Sequence, residues 1–134
     1  MGSEMCIRDR KIHLEYLLNA TSKGILWSAI STPTGLEGWF ADRVESDDKT
    51  VTFYWGKTEH RVAEIVALRA YSFIRFRWKD NEVAREYFEL KMTNSELTND
   101  FVLEITDFSS ASDVDDQREL WESQVETLRR TCGF

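Results

Sequence analysis

The spacing of apolar residues changes along this chain, and that change constrains the fold more than any other sequence feature. Over residues 40–106 apolar and polar residues alternate with a period of two, in short segments separated by polar turns. This pattern predicts an antiparallel sheet. Over residues 113–131 the apolar residues recur at helical spacing instead. They are Val114, Trp121, Val125 and Leu128, with Leu120 beside them.

A sheet with one apolar face and a single amphipathic helix bury their apolar surfaces against each other. The sequence therefore predicts an α+β fold in which a curved antiparallel sheet of about seven strands wraps a long C-terminal helix. The first strand covers residues 12–18, and two short helices follow it. Apolar spacing predicts one helix through Leu26 and Ile30, and Pro33 opens a second that reaches Trp39. The later strands are residues 40–45, 51–55, 61–68, 71–78, 87–92 and 100–106.

The alternation of apolar and polar residues in the fifth and sixth strands predicts which side chains point to the core and how the two strands pair. Alternate residues of a strand point to opposite faces of the sheet, and we call the residues that share a face residues of one parity. Ile74, Phe76 and Trp78 are of one parity, and the arginines between them are of the other. If Ile74 pairs with Leu90, the fifth and sixth strands form a hairpin that places Arg75 opposite Glu89 on the outer face.

Length and charge exclude several classes of protein. At 134 residues the chain has the size of one domain, and 17 basic against 24 acidic side chains give a net charge of −7. A net negative domain repels nucleic-acid backbones and anionic membranes, so neither is an expected partner. No apolar run approaches the roughly 18 residues of a membrane span. We expect a cytoplasmic protein, with Cys6 and Cys132 reduced and with no metal-type cysteine spacing.

Residues 1–10 differ from the remainder of the chain. They show neither strand alternation nor helix periodicity, and no apolar stretch of the kind found in a signal peptide. We interpret them as a leader or artefactual segment outside the fold, and residues 11–134 as the single domain.

Several segments resemble the START-like (SRPBCC, helix-grip) superfamily, in the branch similar to the activator of the heat-shock chaperone ATPase. The resemblance covers about residues 12–131, and one departure from the branch is the turn at residues 67–70, which lacks the proline usual there. The matching segments are Ala20-Thr21-Ser22, Leu26-Trp27-Ser28-Ala29-Ile30-Ser31-Thr32-Pro33, Leu36-Glu37-Gly38-Trp39-Phe40, Phe76-Arg77-Trp78 and Trp121-Glu122-Ser123-Gln124-Val125-Glu126-Thr127-Leu128.

The resemblance implies a cup closed by the last helix, which in many members of the superfamily holds a small apolar molecule. Aromatic and aliphatic residues at core parity either fill such a cup or line a cavity in it. The expected cavity residues are Trp39, Trp55, Ile74, Phe76, Trp78, Phe88, Leu90, Leu103, Trp121 and Val125.

No catalytic apparatus, cofactor motif or metal cluster is evident in the sequence. His13 lies on the polar parity of its strand, and His60 with Glu64 is the only arrangement that suggests an acid/base pair. Three functions stay open. They are non-enzymatic binding of a small hydrophobic molecule, a protein-interaction module with a filled core, and a motif-free cavity enzyme. The sequence favours the first, and it assigns neither a ligand identity nor an oligomeric state.

Overall fold

A computed structural model of the chain describes residues 10–19, 22–79, 87–95, 97 and 100–134. Within these residues, seven strands, three α-helices and one 3-10 turn follow one another. In chain order they are β1 (Arg10–Leu18), α1 (Lys23–Ser31), α2 (Pro33–Leu36), β2 (Arg43–Asp47), β3 (Thr50–Trp55), β4 (Glu59–Arg69), β5 (Phe73–Trp78), β6 (Phe88–Asn94), β7 (Phe101–Ser109), the 3-10 turn (Ala111–Asp113) and α3 (Val114–Cys132).

The strands form one antiparallel sheet in the order β1-β7-β6-β5-β4-β3-β2. Apart from the pairing of β1 with β7, every neighbour in the sheet is also a neighbour in sequence, as short antiparallel connections require. The helix α3 packs on the concave face through Trp121, Val125 and Leu128, all buried. This is the predicted helix-grip fold, with two short helices after the first strand.

Local chemistry sets where the helices begin and end. The Ser22 hydroxyl accepts a hydrogen bond from the Ile25 amide at the start of α1, and Thr32 caps α2 through the Gly35 amide at 2.9 Å. Helix α3 ends at Gly133, whose φ of 73° suits glycine. The arginines of its last turn and the aspartates of its first complement the helix dipole, as predicted.

The predicted β5–β6 hairpin is confirmed in its register. Ile74 pairs with Leu90 and Arg75 with Glu89, and the Arg75 guanidinium lies 2.9 Å from the Glu89 carboxylate on the outer face. The Arg75 guanidinium also lies 4.2 Å from the centre of the Tyr87 ring. Ile74 and Phe76, which flank Arg75, are buried in the hydrophobic core.

Some strand boundaries differ from those predicted. β2 begins at Arg43 rather than at Phe40, because the Phe40 amide donates to the Leu36 carbonyl at 3.0 Å and so belongs to the turn after α2. β4 begins at Glu59 and runs to Arg69, with a bulge between Ile65 and Ala67. β6 continues to Asn94, where a loop was predicted, because Asn94 pairs with Phe101.

The predicted leader falls almost wholly on residues 1–9, which lie outside the described part of the chain, and Arg10 is the first residue of β1. The predicted turn at residues 79–82 also lies outside the described residues, apart from Lys79. Within the described ranges, no helix has the length and apolarity needed to cross a lipid bilayer.

Candidate ligand-binding cleft

A cleft of about 520 Å³ lies between α3 and one end of the sheet, and we call it the α3 cleft. Helix α3 lines it with residues three or four positions apart, so that one stripe of the helix forms a wall. The other walls come from the segment after α2 and from the strands β3 to β7. The lining residues are Gly38, Trp39, Phe40, Ala41, Asp42, Trp55, Glu59, Arg61, Trp78, Phe88, Asp107, Gln117, Leu120, Trp121, Gln124 and Thr127.

Stacked aromatic rings form the inner end of the α3 cleft. The Phe40 ring packs against both Phe88 and Trp121, with ring centres 5.3 Å and 5.6 Å away and interplanar angles of 23° and 29°, and the Phe88 and Trp121 ring centres are 6.1 Å apart. The Phe40 ring meets Phe53 edge-on at 4.9 Å and Trp55 at 5.9 Å. Because offset and edge-to-face packing are the favoured aromatic geometries, this cluster provides a well-defined apolar surface.

Hydrogen bonds fix three of the four indoles that line the cleft. Trp39 Nε1 donates to the Ala29 carbonyl at 2.9 Å, and Trp55 Nε1 donates to the Phe40 carbonyl at 2.8 Å. The Phe40 carbonyl also accepts from Gln124 Nε2 at 3.1 Å, which ties α3 to the segment after α2. Trp121 Nε1, the third, donates to Asp107 Oδ2 at 2.9 Å. Since these three indole N–H groups have acceptors, their ring faces rather than their polar edges are available to a ligand.

A buried carboxylate, Asp107, stands in the wall between β7 and α3. Asp107 is 5 % exposed. Its Oδ2 accepts hydrogen bonds from Gln117 Nε2 at 2.7 Å and Trp121 Nε1 at 2.9 Å, and its Oδ1 accepts from the Phe108 amide at 2.8 Å. A carboxylate buried at this depth needs hydrogen-bond donors. The hydrogen bonds to Asp107 therefore fix the positions of the Gln117 and Trp121 side chains.

The mouth of the α3 cleft is polar and open to solvent. Asp42, Glu59 and Leu120 are exposed there, and the Arg61 guanidinium lies 4.0 Å from the centre of the Trp78 ring. The lining thus carries three carboxyl groups, counting Asp107, and one guanidinium. This balance disfavours anionic ligands inside the cleft.

The structure brings five of the ten predicted cavity residues together in the α3 cleft. They are Trp39, Trp55, Trp78, Phe88 and Trp121. The other five are buried in the core and do not line the cleft, because their side chains fill the interior between sheet and helix. They are Ile74, Phe76, Leu90, Leu103 and Val125.

Among the lining residues that were not predicted, three are polar residues for which the sequence contains a signal. They are Asp107, Gln117 and Gln124. Asp107 shares the parity of Leu103 and Ile105, which are buried, so the alternation already placed its carboxylate inside. Gln117 and Gln124 lie four residues before and three after Trp121, on the same stripe of α3.

The suggested acid/base pair on β4 is not assembled. Glu64 accepts a hydrogen bond from Arg77 Nη2 at 3.2 Å, whereas the His60 ring stacks on Tyr54 with centres 5.8 Å apart. His60, Tyr54 and Arg43 border a second surface depression of about 430 Å³ at the end of β2, β3 and β4.

Comparisons with known proteins agree with this architecture. The model of the START-like superfamily domain matches residues 5–134. The solution structure of BfR322 from Bacteroides fragilis is 73 % identical, with a TM-score of 0.66, over 96 % of this chain and 94 % of that one. A search of curated proteins gives no match.

More distant structures share the fold. The Aha1 dimer from Colwellia psychrerythraea is 13 % identical, with a TM-score of 0.72, over 89 % of this chain and 92 % of that one. DynU16, from the dynemicin biosynthetic locus, is 15 % identical, with a TM-score of 0.71, over 91 % of this chain but 46 % of that one.

A curved antiparallel sheet closed by a long C-terminal helix places the chain among the α+β proteins of helix-grip fold. The chain belongs to the START-like superfamily, as its resemblance in sequence implied.

Proposed function

We propose that this protein binds a small, neutral, largely apolar molecule in the α3 cleft, without chemical conversion. The observation that carries the proposal is the cleft itself, about 520 Å³ with stacked aromatic rings at its inner end. Ligand sites in proteins begin at about 300 Å³ and are lined mainly by apolar and aromatic side chains with few polar groups. The α3 cleft exceeds that volume, and aromatic rings form its inner end, while seven of its sixteen lining residues are polar or charged.

The lining also indicates the shape and charge of the ligand. Trp55 is half-buried and Leu120 exposed, so both offer apolar surface to a molecule in the cleft. Three carboxyl groups against one guanidinium disfavour an anion. A planar aromatic molecule, or a short aliphatic one, with a polar edge at the mouth fits these walls.

Tryptophan fluorescence tests the proposal because Trp55, Trp78 and Trp121 all line the cleft. We expect saturable changes in emission with a library of neutral aromatic and fatty compounds. Leu120→Glu places a charge at the mouth and should weaken binding at least about tenfold, which corresponds to 1.4 kcal/mol. Leu17→Glu is the matched control, since Leu17 is 55 % exposed and Leu120 51 %, and Leu17 does not line the cleft.

Phe88→Ala provides a second variant for the same assay. Phe88 is buried and lines the inner end of the cleft, so truncation enlarges the space while it lowers stability by about 3–5 kcal/mol. Larger ligands should then bind more tightly relative to smaller ones. The proposal fails if no compound changes the emission, or if Leu120→Glu and Leu17→Glu bind every responding compound as the wild type does.

The cleft volume favours this function over the two alternatives. An interaction module on the outer sheet face needs no cleft, and a cavity enzyme needs polar groups that converge on a substrate. The polar groups of the inner wall, Asp107 and Gln117, hydrogen-bond each other and position Trp121. We also propose that the protein is cytoplasmic and that its partner is a small ligand rather than nucleic acid. Composition alone supports these two points.

A further inference from the structure

Three metal-ligating side chains converge on the outer face of β1 and β7, on the side of the sheet opposite α3. His13 Nε2 lies 3.1 Å from Glu104 Oε1 and 3.9 Å from Glu15 Oε2. One ligand atom from each residue lies within 4.8 Å of the other two. His13 and Glu104 are 91 positions apart, so the sequence shows no ligand spacing here.

The strand register creates this cluster. Glu15 pairs directly with Glu104 across the β1–β7 ladder, and His13, two residues before Glu15, lies on the same face. Like charges placed directly opposite each other destabilise a pair of strands. A cation held between the two carboxylates and the imidazole removes that repulsion.

A neighbouring strand orients one ligand. The Thr93 hydroxyl of β6 donates to Glu104 Oε2 at 3.1 Å, which leaves Oε1 directed at His13. Partners of this kind fix the orientation of metal-ligating carboxylates. Lys91 pairs with Glu104 in the β6–β7 register, which places a cationic residue on the strand beside that carboxylate.

We propose that His13, Glu15 and Glu104 bind a divalent first-row transition ion. Imidazole nitrogen with carboxylate oxygen suits Zn²⁺ and its neighbours, whereas Ca²⁺ and Mg²⁺ take oxygen ligands. The His13, Glu15 and Glu104 side chains are 49 %, 64 % and 23 % exposed, which leaves room for water to complete the coordination. The three ligand atoms lie within 4.8 Å of one another, and Glu15, the most exposed of the three side chains, is free to adjust its rotamer towards an ion.

Cobalt is the probe for this site, because Co²⁺ replaces Zn²⁺ at nitrogen and oxygen ligands and its paramagnetism perturbs nearby amide resonances. Titration of the full chain should perturb the amides around residues 13, 15 and 104 saturably. His13→Ala should abolish the effect, and Glu104→Gln, which keeps the side-chain size, should weaken binding at least tenfold. His60→Ala is the matched control, since His60 is the other histidine, is exposed, and lies on β4. It should leave binding unchanged.

Cys132 is half-buried and has no disulfide partner among the described residues, so thiol binding must be distinguished. Thiolate ligation gives Co²⁺ an intense near-ultraviolet charge-transfer band, and binding at the His13 site should proceed without it. The proposal is overturned if the perturbation does not saturate, if His13→Ala leaves it intact, or if the thiolate band accompanies it. Thermal melts of each variant confirm that a lost signal does not reflect unfolding.

Discussion

Trp121 Nε1 lies 2.9 Å from Asp107 Oδ2, and this hydrogen bond joins α3 to β7 inside the wall of the α3 cleft. Both residues are buried, with Asp107 at the inner parity of its strand. The same carboxylate oxygen accepts from Gln117, one turn earlier on α3. The Asp107 side chain of β7 therefore helps to fix the position of α3 along its axis and its rotation about that axis.

Asp107→Ala should lower the free energy of unfolding by about 1–3 kcal/mol, because it leaves the Trp121 indole and the Gln117 amide without this acceptor. Trp121→Phe removes the donor and keeps an aromatic ring. Chemical denaturation of both single variants and the double variant forms a cycle, and we expect a coupling energy of about 0.5–3 kcal/mol. Strictly additive effects would show that the hydrogen bond does not couple α3 to β7.

Removal of α3 should prevent folding. The concave face would lose Trp121, Val125 and Leu128, each buried and worth about 1.5–3 kcal/mol. Together these losses approach the whole stability of a small domain. A chain that ends at residue 112 should show no cooperative thermal transition, whereas Trp121→Ala in the full chain should cost about 3–5 kcal/mol and still unfold cooperatively. A cooperative transition in the truncated chain would contradict this.

Gly35→Ala should be destabilising because α2 packs directly on the backbone of α1. A Cβ atom at Gly35 would clash with the Ser28 carbonyl and lie 2.7 Å from Ala29 Cα. Relief of that overlap requires a backbone shift, at a cost of about 1–3 kcal/mol or more.

Gly24→Ala is the matched control for that substitution. A Cβ atom there would lie 3.6 Å from the Ser22 hydroxyl, an ordinary contact in the first turn of α1. It should leave stability unchanged or raise it by up to about 1 kcal/mol, since alanine is the better helix former. The measurement is the melting temperature of each variant, and we expect a lower value for Gly35→Ala than for Gly24→Ala. Equal values would refute the close approach of α2 to α1.

Tyr16 should contribute to the loss of stability at alkaline pH. Burial raises the pKa of the Tyr16 hydroxyl above its ordinary value of 10.0, and the Glu122 carboxylate adds to the rise, while Arg118 and Arg129 partly offset it. The folded chain therefore retains this proton where the unfolded chain loses it. The contribution is present in full below pH about 10 and decreases as the pH rises further.

Tyr16→Phe removes that titration and should flatten the decline in unfolding free energy above pH about 10. Tyr54, Tyr71 and Tyr87 remain in both proteins, so they supply the common background. Urea denaturation of wild type and variant on both sides of pH about 10 measures the difference. Parallel declines would mean that Tyr16 titrates equally in the folded and unfolded chains.

The local pattern of the sequence was enough to predict most of the fold. Alternation at Ile74 and Phe76 set the inner face of β5 and, with Leu90, the register of the hairpin. The prediction failed at Phe40, where an apolar residue of strand-like spacing is held in a turn by the Leu36 carbonyl. Alternation records burial and not backbone pairing, so it did not distinguish a buried turn from a strand.

The candidate site was half predictable for a related reason. Parity identified side chains that point inward, such as Leu103 and Trp78, but it assigned them all to one cavity. Whether an inward-pointing side chain contacts a neighbour or borders empty space depends on the sizes of the side chains that other strands and helices pack around it. Leu103 is enclosed in the core, whereas Trp78 reaches the cleft.

The sequence by itself determined the strands, the amphipathic last helix and the superfamily, because each depends on periodicity or on short motifs within one segment. Only the tertiary structure decided the extent of the α3 cleft, the position of Asp107 against Trp121, and the approach of His13 to Glu104. These features join side chains from segments distant in the chain. Their distances follow from sheet curvature, helix placement and register acting together, and no local pattern encodes that combination.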